Sequence, residues 1–257
     1  MKIISLGAGV QSTALLIMSD RGDIERADYA IFADTGAEPK AVYEWLDFIE
    51  TQVSIPIIRT AKGNIYNDIM SGDRFASIPF FTQAADGSEG MGQRQCTFEY
   101  KIQPIQKKTR ELLGLRPRQR AGAQSVEMLI GISIDEAHRM KPARDKWIKN
   151  RWPLVEKRMS RGDCIKYVEK AIGKTPPRSS CLFCPFHNDK EWLHVKNGPA
   201  DEWQKVIEVE KKLQTMPKLR NKPFLHRDLK PIDQVEFYDG SDQLDMFGNE
   251  CEGMCGV

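Results

Sequence analysis

The feature that most constrains this chain is a pair of glycines set between an apolar run and an amphipathic one. Residues 2–6 are mostly apolar, Gly7-Ala8-Gly9 follows, and apolar side chains then recur at helical spacing over 11–20. That order reads as strand, tight turn, helix. A second apolar run over 28–33 ends at Asp34-Thr35-Gly36. Val42, Trp45, Leu46 and Ile49 mark a helix over 41–53, and 55–58 supplies a third strand. A β-α-β-α-β succession predicts an α/β fold: a Rossmann-like parallel sheet with helices on both faces.

Farther along, 61–95 is rich in Gly, Ser and Asp and reads as a long irregular span. Such spans in a compact domain are usually functional. A basic helix is expected over 101–113, a buried strand over 126–133, a break at Trp152-Pro153-Leu154 and a short helix over 163–172. Pro176-Pro177 marks a boundary, dividing a nucleotide-binding α/β domain (1–175) from a small helical, cysteine-bearing appendage and tail (176–257). Helices are expected there over 190–196 and 201–214.

The hydrophobic fraction of 40% suffices for a sizeable core. Gly7, Gly9, Gln11, Ser12 and Thr13 interrupt the first apolar run, which argues against a secretory leader. No apolar stretch reaches the roughly 18 residues a membrane span needs, so a cytoplasmic protein without a membrane partner is expected. The net charge of +2 demands no polyanion. The basic residues are clustered at 107–120, 139–151 and 218–230, however, which leaves room for a nucleotide or nucleic-acid surface.

Four groups of residues could carry chemistry. Glycines between a strand and a helix let the backbone approach a phosphate, and Ser5, Gly7, Gly9, Gln11 and Ser12 form that segment. A simple packing turn is the competing explanation. Asp34 and Gly36 stand where a second parallel strand ends, a position from which an Asp can hold ribose, a base amine or magnesium; a turn-forming Asp competes. Cys181-Leu-Phe-Cys184 is a thiol knuckle that suits zinc, a redox dithiol or iron–sulfur ligation. Cys164 lies in a helical pattern and reads as a buried structural thiol. Near the end, Cys251 and Cys255 lie in a glycine-bearing segment suited to swinging into a site. Lys101 and Arg139 are the preferred phosphate-binding cations.

Gly7-Ala-Gly-Val-Gln-Ser12, Asp34-Thr-Gly36, Gln95-Cys96-Thr-Phe-Glu-Tyr-Lys101-Ile-Gln-Pro104, Gly131-Ile-Ser-Ile-Asp135-Glu136-Ala-His-Arg139 and Pro153-Leu154 together resemble the phosphoadenosine phosphosulfate (PAPS) reductase family. That family belongs to the PP-loop adenine-nucleotide α-hydrolase group. The resemblance spans most of 3–185 and implies a HUP-type sheet binding an adenine nucleotide, PAPS or ATP. It implies a 4Fe–4S cluster on Cys96, Cys181 and Cys184, with Cys255, Cys251 or no protein group as the fourth ligand, the last leaving one iron open, and zinc as the alternative metal. It further implies a Cys251 or Cys255 thiolate that attacks the sulfonate, and a thiol reductant such as thioredoxin. The chain departs from the pattern at Gln95, where the family has a first cysteine, and at Ser133 and Ala137. Gln11 stands where ATP-cleaving relatives carry an aspartate that holds magnesium. Two alternatives accompany sulfonucleotide reduction: an ATP-dependent adenylating sulfurtransferase acting on nucleic acid, and a non-catalytic nucleotide- or DNA-associated module with structural zinc.

Overall fold

The computed structural model describes residues 1–72, 77–123, 125–217, 219 and 221–238. Strands β1 (Lys2–Leu6), β2 (Tyr29–Asp34) and β3 (Ile57–Ala61) alternate with α1 (Val10–Arg21) and α2 (Lys40–Glu50). Next come α3 (Ile65–Ser71), β4 (Phe81–Gln83), β5 (Glu89–Met91), a π-helical turn (Thr97–Ile102) and α4 (Gln103–Leu112). Then β6 (Val126–Ile130) leads through a 3-10 turn (Ile134–Arg139) to β7 (Ile148–Arg151), α5 (Pro153–Glu156) and α6 (Arg161–Ile172). The remaining elements are α7 (Asp189–Lys196), α8 (Ala200–Gln214), β8 (Lys222–Phe224) and a 3-10 turn (Ile232–Gln234).

Five strands form one parallel sheet in the order β3-β2-β1-β6-β7. Alternate side chains of each strand point to opposite faces. Ile4, Leu6, Ala30, Phe32 and Leu129 pack under α1, α2 and α6. Ile3, Ile31, Ala33, Val126, Met128 and Ile130 form the other face with Ile102 and Ile105. Burial on both faces explains why these strands read as continuous apolar runs. The chain leaves β1 toward β2 on one side, and β6 lies on the other. The crevice at the carboxyl ends of β1 and β6 is therefore the topological switch point, where open α/β sheets bind ligands.

The expected Rossmann-like α/β fold is what the structure has, with shifted boundaries. Helix α2 ends at Glu50, not 53, and β3 runs from Ile57 to Ala61. Strand β6 ends at Ile130, so Gly131 to Ser133 leave the sheet. Strand β7 was not expected: it is an edge strand in which only Ile148 is fully buried, so it carries no apolar run. Helix α6 starts at Arg161 because Ser160 and Asp163 form a reciprocal capping box.

The span 61–95 is also more ordered than its composition implies. It contains α3, capped by Asn64, and strands β4 and β5, with β4 pairing both β5 and β8 in a small antiparallel sheet. Three-residue strands are too short to show periodicity. Ile65, Ile69, Ile78, Phe80 and Tyr100 share an apolar cluster with Leu182, Phe183, Trp192, Val206 and Leu225. Residues on both sides of the 175/176 boundary thus build one layer over the carboxyl end of β2. Trp192 anchors it, fully buried and stacked on Phe237 at 6.2 Å. Cys164 is likewise fully buried, in the α1–α6 core. Among the described residues no helix is long and apolar enough to cross a membrane.

Leu16, on α1, is fully buried between sheet and helices. Leu16→Ala should lower the unfolding free energy by about 2–5 kcal/mol, read as a lower urea midpoint with an unchanged slope.

Candidate phosphate nest and thiol wall

Helix α1 begins without a capping side chain. Its N-cap is Gly9, which makes no side-chain cap bond, and the first backbone bond into the helix is Thr13 N–H to the Gly9 carbonyl at 3.0 Å. The first-turn amides of Val10, Gln11 and Ser12 therefore have no intrahelical partner, and they are buried. Ala8 holds the preceding turn in the left-handed region, at φ 61°. Ser12 Oγ accepts from the Gly7 amide at 3.2 Å and donates to the Gly9 carbonyl at 3.3 Å. Ser12 thus braces the loop from within. Two more buried hydroxyls, Ser5 Oγ near the end of β1 and Ser133 Oγ beyond β6, have no hydrogen-bond partner among the described residues. Buried polar groups are normally satisfied. The uncapped start of α1, the positive end of a helix at the switch point, suits an anion.

Gly131 makes the close approach between the two strand ends geometrically feasible. A Cβ there would lie 2.8 Å from Ser12 N and 2.9 Å from Ser12 Cα. Backbone atoms cannot rotate out of the way as a side chain could.

Gln11 is held from both ends. Its Nε2 donates to Glu136 Oε2 at 3.2 Å, and its Oε1 accepts from Arg161 at 2.6 Å. Arg139 pairs with the same Glu136 oxygen at 3.0 Å, both side chains being nearly inaccessible. Burial pushes the Glu136 carboxyl above its ordinary value, against the opposing pull of Arg139 and Arg161. Asp135 accepts from the Arg161 amide at 2.9 and 3.1 Å and fixes the start of α6. Arg139, expected as a phosphate ligand, is thus in a buried ion pair behind the loop. Arg161, which looks like an ordinary surface residue in the sequence, reaches the loop directly.

Asp34 serves its own turn. One oxygen, Oδ1, accepts from the Gly36 amide and from Tyr43 Oη, each at 2.7 Å. Burial and this bond raise the Tyr43 phenol well above its ordinary value. Gly36, at φ 70°, faces Asn64, whose side chain donates to its carbonyl at 3.1 Å. Lys101 is buried and pairs with Glu38 Oε1 at 3.2 Å. That carboxylate also faces Thr35 Oγ1 at 3.5 Å and Cys181 Sγ at 3.9 Å. Glu38 was not expected at all, since nothing in its sequence neighbourhood sets it apart from a surface residue.

The thiol knuckle lies against these groups. Cys181 Sγ is 3.3 Å from Thr35 Oγ1, the Leu182 amide donates to the Ala37 carbonyl at 2.9 Å, and the Cys184 amide donates to the Cys181 carbonyl at 3.0 Å. Ser179, two residues before the knuckle, donates to the Gly7 carbonyl. The segment from 179 to 184 therefore crosses from the glycine loop to the end of β2. Cys96 packs half-buried against the cluster that contains Cys181. His187 closes the turn: Ser180 Oγ lies 2.8 Å from its Nε2. Burial, with Arg178 nearby, drives the imidazole pKa down to about 3, so the ring is neutral.

Among the described residues no group of three or more His, Cys, Asp or Glu side chains is placed to hold a metal ion. Cys96, Cys181 and Cys184 are thus not brought together as a set of metal ligands. The expected nucleophiles and fourth ligand, Cys251 and Cys255, lie outside the described residues. No family model matches the chain, and no curated protein matches it.

Gly131→Ala should force Ser12 and the first turn of α1 to shift. Calorimetric titration with adenosine 3′,5′-bisphosphate should show at least tenfold weaker binding, with an unaltered circular dichroism spectrum. Unchanged affinity would place the anion elsewhere.

Proposed function

We propose that this chain is an adenine-nucleotide enzyme of the sulfonucleotide reductase type, its nucleotide phosphate resting on the uncapped start of α1. One observation carries the proposal: the first turn of α1 is buried and uncapped at the β1–β6 switch point, and Arg161 reaches Gln11 of that turn. An anionic ligand would satisfy amides left without an intrahelical partner, and the helix end favours its charge.

The state of Gln11 supports reduction over ATP cleavage. A magnesium–pyrophosphate mechanism needs a hard carboxylate at the loop, whereas Gln11 is neutral and spends both ends of its amide on Glu136 and Arg161. In the proposed reaction a cysteine thiolate of the C-terminal segment, Cys251 or Cys255, attacks the sulfonate sulfur. An S–S bond forms, the sulfur–oxygen bond to the nucleotide phosphate breaks, and the electron pair leaves with that phosphate. An external dithiol such as thioredoxin then attacks the enzyme sulfur and becomes a disulfide, and sulfite departs. The nest and Arg161 would stabilise the departing phosphate, the charge that grows as the bond breaks.

A cysteine-held metal centre would draw on the Cys181–Cys184 knuckle, on Cys96, which packs against the cluster of Cys181, and on a tail cysteine, and it would require the three described thiols to close up from their present positions. When bound, an iron–sulfur cluster would add a concentrated charge distribution beside the site. The chain's own part is to hold the thiols and exclude water.

With PAPS and a thioredoxin system the protein should release sulfite, and Arg161→Ala should cut kcat/KM about a hundredfold. Pyrophosphate release from ATP with no sulfite from PAPS would overturn the assignment. Protein purified anaerobically should be brown and carry about four iron and four sulfide per chain. A colourless protein with one zinc would instead support the structural-zinc alternative.

A further inference from the structure

Two basic stretches that stand apart in the sequence, 107–120 and 139–151, meet on the α4 face. Gln106 of α4 donates to Asp145 at 2.8 Å, and the Arg110 guanidinium lies 5.9 Å from the Trp147 ring centre. Along this seam a groove of about 600 Å³ runs from the end of β3 down α4, with Lys62, Lys107, Arg110 and Arg116 among its walls. Across Gln106 a second, shallow depression is lined by Phe98 and Arg144.

Cations outnumber carboxylates on this face, where Glu99 pairs with Lys62 at 3.0 Å and Asp145 lines the second depression. Glu111, the carboxylate of the groove, is paired with Lys108 at 2.8 Å. Lys107, Arg116, Arg144 and Lys146 are exposed and form no salt bridge among the described residues. The last nineteen residues hold five acidic side chains and no basic one, so residues 1–238 carry a net +7, against +2 for the whole chain. Phe98 is 37% exposed in the middle of this region, and Trp147 is half-buried at its other end. Cations that track a backbone, interleaved with aromatic rings, are the features that bind single strands: phosphates meet the charges and unstacked bases meet the rings. An acidic polypeptide would use the charges and leave the rings unused.

We propose that the α4 face binds single-stranded nucleic acid through its phosphate backbone, without sequence preference. The surface shares no residue with the nest, so it stands or falls independently of the reductase assignment.

The test uses the full chain and a fluorescein-labelled, mixed-sequence DNA strand of about 20 nucleotides, followed by anisotropy across a salt series. The comparison is a variant carrying Lys107→Ala, Arg116→Ala, Arg144→Ala and Lys146→Ala, all at exposed positions. Binding at about 0.1 M salt should weaken at least tenfold in the variant, and the slope of log affinity on log salt should shrink by about 2 to 3, at roughly 0.7 per lost phosphate contact. Adenosine 3′,5′-bisphosphate should bind the variant as it binds the parent protein. The proposal is overturned if the parent protein fails to bind the strand at low salt, or if the variant binds it equally well. It is also overturned if polyglutamate of equal charge displaces the strand as effectively as unlabelled DNA does, because the surface would then be a generic anion face.

Discussion

The start of α1 is buried where the sheet reverses direction, and the surrounding structure follows from that constraint. Amides of a first turn must find partners or sit beside a ligand. Gly9 supplies no cap, and the neighbouring residues are arranged around the loop without closing it off. Ala8 accepts a left-handed conformation that normally favours glycine. Ser12 ties the loop to itself, Gly131 gives up its side chain so that β6 can approach, and Ser179 holds the Gly7 carbonyl from above. Each device fixes the loop backbone and leaves the helix start without a capping side chain.

Buried ion pairs frame the loop on either side, Glu136 with Arg139 and Glu38 with Lys101. Removing one partner from such a pair typically costs about 3–5 kcal/mol, because the other charge is left stranded in a low-dielectric interior. Their worth lies in orientation. Glu136 fixes the Gln11 amide, which in turn meets Arg161; Glu38 joins Lys101 to Thr35 and Cys181. An aspartate at position 11 would set a second carboxylate against Glu136, already displaced toward protonation by burial. Gln11 is the residue this network accommodates.

The sheet was legible because β1, β2 and β6 are buried on both faces and so appear as unbroken apolar runs. The glycine turn was legible because its residues are contiguous. Strand β7 was not, since its edge position leaves one inward side chain in four residues, and the β4–β5–β8 sheet was not, since three-residue strands carry no period. Within the site, sequence singled out Gln11 and the Cys181–Cys184 knuckle but missed Glu38, Ser179 and the function of Arg161. Those residues meet partners 143 to 172 positions away, and no local pattern encodes such pairings. At Asp34 the turn-forming explanation is visible in the structure, where Oδ1 accepts from the Gly36 amide and the Tyr43 hydroxyl.

The position of Cys181 separates two roles a cysteine could have in the proposed reaction. A nucleophile must travel to the substrate and leave again once its sulfur is transferred. Cys181 is buried, held within 3.3 Å of the Thr35 hydroxyl, and fixed by backbone bonds on either side of its knuckle. Swinging it into the nest would break the Leu182–Ala37 bond and expose the apolar cluster beneath. A rigid thiol of this kind suits a held centre or a wall better than it suits the attacking role. The knuckle and the loop are nevertheless one mechanical unit, because Ser179 clasps Gly7 while Cys181 faces Thr35. Any group bound by the thiols would therefore report directly on the geometry of the phosphate site.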